Sequence, residues 1–202
     1  MRTETIKIYK FDELSPEAQE KAIENLRYEQ VESDHWFDPI VELQTEDLKS
    51  LWLHEPKISF SGFSSQACEG ASFTGVADST FIQNAFSENL FNVPSDLVDV
   101  LTEGDLEVDI IFCRNAYSGN YVHEHTVSTK LVPDWAENLD LIQKYKASLI
   151  ELEKNIEVWR YAKCRVIYDE LYKYYDQLTS DAGVKAYIQC HELEFYGTGE
   201  TY

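Results

Sequence analysis

The sequence predicts an α+β protein: an antiparallel sheet of about four to six strands, N-terminal helices, and a long C-terminal helix or helical hairpin. Three observations carry this. Short alternating apolar segments separated by Gly, Asn, Asp and Ser turns recur between positions 58 and 131. A Ser15-Pro16 pair marks a helix start near the N-terminus. Residues 134–180 contain neither glycine nor proline. One domain is expected, with an acidic α+β core over 1–132, a helical segment over 133–180 and a terminal strand within 181–202.

Taken in order, Thr5-Ile6-Lys7-Ile8-Tyr9-Lys10-Phe11 alternates and reads as a first strand. Behind Ser15-Pro16, Ala18, Ala22, Ile23 and Leu26 recur at helical spacing, giving an amphipathic helix that ends near Val31. A second helix is expected after Asp38-Pro39, with Ile40, Leu43, Leu48, Leu51 and Trp52 inward. Residues 58–63 and 71–77 read as paired strands, 79–90 and 94–101 as short helices. Residues 106–113 are the clearest strand, and 121–131 returns beside it, so the four strands form an antiparallel meander. In 134–180, Ile142, Tyr145, Leu149, Leu152, Ile156 and Trp159 are spaced 3, 4, 3, 4, 3, and the series resumes at Ile167. Continuous helix there would be roughly 70 Å long. The slip near Lys163-Cys164 favours a break or hairpin, and a projecting coiled-coil arm is the alternative. Residues 185–196 read as a last strand.

Composition narrows the function. The hydrophobic fraction of 44% and 13 tyrosines supply enough apolar surface to offset chain entropy, which excludes a disordered chain. No run approaches the roughly 18 apolar residues of a membrane span, and no apolar signal core follows Met1, so a cytoplasmic location is expected. Cys68, Cys113, Cys164 and Cys190 have no CxxC spacing and read as free thiols. The net charge is −20; residues 1–133 hold 24 acids and 9 bases, whereas 134–180 hold 9 and 7. Such a field repels nucleic acid and anionic membrane and attracts basic surfaces.

No catalytic constellation is evident, and a binding protein without a cofactor is expected rather than an enzyme. Asp105, Glu107 and Asp109 would share one strand face about 7 Å apart, preceded by Asp96, Asp99 and Glu103. Such a row would imitate nucleic-acid phosphates in a basic groove; it is equally the solvated face of an ordinary strand. The second candidate is a small-ligand or metal site. His123 and His125, on one face of a strand, have a known ligand spacing, and Ser65, Gln66 and Gly70 lie in a small polar loop like those that cradle phosphate. That loop lacks the GxxxxGK[ST] pattern and carries Glu69. The third candidate is assembly through 134–180 as a homodimer, with Ile156 at the seam.

Three segments carry a resemblance: residues 8–22 (IYKFDELSPEAQEKA), residues 59–66 and 70–73 (SFSGFSSQ and GASF), and residues 121–126 (YVHEHT). In order and spacing they resemble a family of uncharacterised phage and prophage proteins. Members have a Gly-Asp-Gly turn after the Ser-Gln pair, where this sequence has Ala67-Cys68-Glu69-Gly70. The resemblance implies a phage setting. For an acidic protein of this size, that setting implies an inhibitor of anti-CRISPR or antirestriction type, with a basic host protein or ribonucleoprotein as partner.

Overall fold

The computed structural model describes residues 6–63, 69–119, 121–133 and 139–202. In chain order the elements are β1 (Ile8–Lys10), α1 (Pro16–Leu26), α2 (Asp38–Ser50), β2 (His54–Ser61), β3 (Gly70–Ala77), α3 (Ser79–Ser87) and α4 (Ser95–Thr102). They continue as β4 (Val108–Arg114), β5 (Val127–Pro133), α5 (Leu139–Lys144), α6 (Lys146–Thr179), α7 (Asp181–Cys190) and β6 (Glu194–Tyr196). The α+β prediction holds, with a four-stranded antiparallel sheet in the order β2-β3-β4-β5, a two-stranded β1-β6 sheet and one long helix. Two compact units result: Met1–Ile40 with Leu171–Tyr202, and Val41–Glu170.

In the first unit, Ser15 caps α1 by accepting the Ala18 N–H, and Pro16 loses no hydrogen bond at the first helical position. The predicted face (Ala18, Ala22, Ile23, Leu26) is buried with Phe11, Leu14, Val184, Ile188 and Phe195. Residues 185–190 are helix and not strand. Ser180 caps α7 by accepting the Gly183 N–H at 3.0 Å, and Val184 and Ile188, four residues apart, enter this core. Only Glu194–Tyr196 is strand, paired with β1. β1 is shorter than expected because Phe11 starts a 3-10 turn and goes into the core. Trp36 stacks on Tyr174 at 6.4 Å and meets Tyr175 edge-on at 5.5 Å.

In the second unit the sheet buries Phe73, Ile110 and Phe112 on one face. The rings of Phe73, Phe81, Phe91 and Phe112 surround Trp159 of α6, with centroids 5.4–6.4 Å away. α2 keeps its predicted start, but Leu43 and Trp52 point to solvent, and Gln44 and Leu53 are buried instead. Trp52 sits at φ 65° just beyond the helix, which turns its side chain off the helical face.

α6 is continuous across Lys163-Cys164, contrary to the expected break. Its buried stripe is Leu149, Leu152, Ile156, Arg160, Cys164, Ile167, Leu171, an unbroken helical series. The apparent slip is therefore an arginine occupying a core position. Ile156, expected at a dimer seam, is fully buried within the chain's own unit.

The edges of the four-stranded sheet are guarded differently. β2 carries Pro56 and a register shift between His54 and Lys57, both of which discourage further pairing. Along β5, the outward N–H of Thr129 donates to Glu157 Oε2 and that of Leu131 to Glu153 Oε2, each at 3.0 Å. The α6 carboxylates thus satisfy donors that another strand would seek.

A carboxylate-rimmed cleft and a carboxylate-free cavity

Six acids were expected to form a partner-binding face. Asp96, Asp99, Glu103, Asp105, Glu107 and Asp109 are all exposed, and none forms an ion pair among the described residues. Only Asp109 lies in a paired strand, because β4 begins at Val108; Asp105 and Glu107 belong to the approach. Leu106, Val108 and Ile110 are nonetheless buried alternately between them, so the three acids all face outward. Asp96 and Asp99 lie on α4 and Glu103 is its C-terminal cap, the three at helical spacing. Asp96 accepts the Ser148 hydroxyl at 2.6 Å.

Asp99 and Glu103 also border a cleft of about 330 Å³ between α3 and α4, floored by Ile82, Phe86, Val93, Val98 and Leu101. Phe86 is 49% exposed there. Gln83 Nε2 donates to the Leu101 carbonyl and ties the two helices. Asp78 caps α3 at the Thr80 N–H. Burial works to raise the Asp78 pKa, but the hydrogen bonds from Thr80 and the nearby His54 outweigh it and hold the carboxyl below its usual range. The cleft therefore offers an apolar floor with two carboxylates on its rim.

The histidines do not sit on a strand. β5 starts at Val127, and residues 124–126 make a 3-10 turn that His123 caps. His123 Nδ1 accepts the His125 N–H at 3.2 Å, and Thr126 Oγ1 donates to the His123 carbonyl at 2.7 Å. Asn115 holds the turn from the neighbouring strand end, its N–H bonding the Thr126 carbonyl and its side chain the His125 carbonyl. The rings of His123 and His125 lie 5.7 Å apart. Among the described residues no group of three or more His, Cys, Asp or Glu is placed to hold a metal. Ser65, Gln66 and Cys68 lie outside the described residues.

Two of the three sequence segments meet at this turn. Ser61 donates to the Val122 carbonyl at 2.9 Å. A Cβ at Gly70 would stand 2.6 Å from His123 Cβ, so only glycine lets the turn approach β3 this closely.

Arg160, 0% exposed, anchors the turn from below. It donates to the Glu124 carbonyl at 2.6 Å, to Thr129 Oγ1 at 3.3 Å, and to Glu157 Oε1 and Oε2 at 2.8 and 3.4 Å. Its guanidinium also lies 4.6 Å from the Tyr161 ring centroid, and the Tyr161 ring is 4.7 Å from His125. Burial raises the Glu157 pKa, but hydrogen bonds from Arg160, Thr129 and Tyr161 more than offset it, leaving the carboxyl below its usual range. Glu124 shows the same balance: burial against its backbone hydrogen bond, His125 and Arg165, with a net lowering. Sequence reasoning missed this network. Its one legible signal was a charged residue, Arg160, standing where the buried period of α6 falls.

At the connected end of the β4–β5 hairpin, beside the turn, lies a cavity of about 650 Å³ lined by Arg114, Tyr117, Tyr121, His123, His125, Ser128 and Lys130, among others. Among the described residues no Asp or Glu lines it.

The described residues thus form an α+β protein with two concavities, the α3–α4 cleft and the hairpin cavity. Residues 36–181 match the family model described as a domain of unknown function (DUF8835), and the chain belongs to that family. The match includes both the cleft and the cavity. No curated protein and no solved structure matches the chain. Among the described residues no helix is long and apolar enough to cross a membrane.

Proposed function

We propose that the chain is an acidic binding protein that occupies a basic, nucleic-acid-handling surface of a host defence complex, as expected of an anti-CRISPR or antirestriction inhibitor. The observation that carries this reading is the α3–α4 cleft: exposed Phe86 over an apolar floor, with Asp99 and Glu103 on the rim. A partner presenting an apolar side chain between Lys or Arg residues would fill the floor and pair with the rim. Asp96, Asp105, Glu107 and Asp109 extend the negative charge beyond the cleft, and the net charge of −20 steers such a partner inward. The phage setting comes from the sequence motifs.

The test is a pull-down from host lysate with the full chain, repeated with an Asp99→Lys/Glu103→Lys variant and across salt from about 50 mM to about 500 mM. Capture of a nucleic-acid-handling protein that fades with salt and is lost in the variant supports the reading. A partner held equally by both proteins at all salt concentrations would refute it.

A further inference from the structure

Between positions 58 and 133 the sequence holds ten acids and two bases, Arg114 and Lys130. Both bases line the hairpin cavity, and none of the ten acids does. In a chain of net charge −20, the only two cations of this stretch are gathered at one cavity. We propose that the cavity is a binding site for a small organic anion that carries both a phosphate and an aromatic ring, the chemistry of a nucleoside monophosphate.

The cavity walls supply the phosphate end. Lys130 sits on β5 directly across from Ile111, is exposed, and its side chain has no hydrogen bond or ion pair among the described residues. Its ammonium forms no ion pair with a described carboxylate, Asp109 standing diagonally across the strand pair without reaching it. Arg114 is held rigid: Nε donates to Ser118 Oγ, and Nη2 to the carbonyls of Gly119 and Tyr121. Those bonds leave Nη1 unused and fix the guanidinium plane before any ligand arrives, so little side-chain entropy is lost on binding. Because His123 Nδ1 accepts the His125 N–H, the proton of the neutral ring belongs on Nε2, which is therefore a donor. Ser128, across the strand pair from Cys113, adds a hydroxyl.

The rim supplies the aromatic end. Tyr117 is 100% exposed and Tyr121 is 61% exposed, so ring faces stand open beside the cations. Bases stack on such faces with little regard to sequence. The volume of about 650 Å³ lies in the range of small-molecule sites and far exceeds what inorganic phosphate alone would fill.

The experiment is calorimetry on the full chain with each of the four nucleoside monophosphates, and with inorganic phosphate, an unphosphorylated nucleoside and a short acidic peptide as comparators. Lys130→Ala and Tyr117→Ala serve as variants, both positions being exposed, with circular dichroism confirming that they remain folded. The expected result is saturable binding of at least one nucleotide, weakened about tenfold or more by each variant. Three results overturn the proposal: no binding of any nucleotide at about 1 mM, inorganic phosphate, the unphosphorylated nucleoside or the acidic peptide binding as tightly as the nucleotide, or variants that bind like the parent. The Asp99→Lys/Glu103→Lys variant should bind the nucleotide unchanged, which separates this site from the α3–α4 cleft.

Discussion

Replacing Arg160 with methionine removes every donor that the guanidinium extends while keeping a long side chain in the α6 stripe. The Glu124 carbonyl, the Thr129 hydroxyl and both Glu157 oxygens lose a partner, and a carboxylate with a side chain only 26% exposed is left without its counter-charge. Breaking one half of such a pair costs about 3–5 kcal/mol. The Thr129 N–H still reaches Glu157, which favours the lower half of that range. Against a typical domain stability of about 5–15 kcal/mol, this is a large fraction. Urea unfolding followed by circular dichroism should show a clearly lower midpoint. Glu157→Gln, which keeps an oxygen for Thr129, should couple to it, so that the double variant costs about 1–3 kcal/mol less than the sum of the singles. If Arg160→Met unfolds within about 0.5 kcal/mol of the parent, the network does not anchor the turn and the account of α6 fails.

Acid should destabilise the fold through the same groups. Glu157, Glu124 and Asp78 are held below their usual ranges in the folded state, so their contribution is fully present above the unfolded-state values near 4 and is lost as pH falls through the folded ones. Thermal midpoints should therefore change little from about pH 7 to pH 5 on this account and fall below about pH 4.5; a Glu157→Gln variant should fall less steeply. Gly70→Ala drives a Cβ to 2.6 Å from His123 Cβ, and about 1–3 kcal/mol of destabilisation is expected, together with shifted imidazole resonances of His123. Cys164 is buried, and that burial pushes its thiol up to about 11, so thiol reagents at neutral pH should label exposed Cys190 at once and Cys164 only on unfolding. Ile156→Asp, at a position with no exposure, should unfold the chain, whereas Val158→Asp at a 66% exposed position should be nearly neutral.

The legible features of the sequence were those set by local chemistry. Ser15-Pro16 fixes the start of α1, alternation fixes the four strands, and the run without glycine or proline fixes α6. What stayed hidden was decided by tertiary partners. The strand expected over 121–131 holds only from Val127, and residues 124–126 form a 3-10 turn because Asn115, Thr126 and Arg160 hold the backbone there. Tyr187 and Ile188 are residues that favour strands, but Val184 and Ile188, four apart, gain more by entering the core beside α1. Of the candidate sites, the acids of α4 were found without the apolar cleft between them, and His123 without the cations that share its cavity.

The two glutamates of α6 that meet β5 stand four residues apart, about 6.0 Å along a helix axis. The N–H groups they accept stand two residues apart, about 6.7 Å along a strand. Helix and strand agree over this interval as two scales of a vernier agree over a few marks. One step further, the helix offers Leu149 and the strand offers Pro133, which has no N–H to accept, and these two line an apolar cleft together. Sliding α6 by a single residue would swing both carboxylates about 100° around the helix axis and lose both contacts. The position of the long helix against β5 is thus gauged by its own side chains.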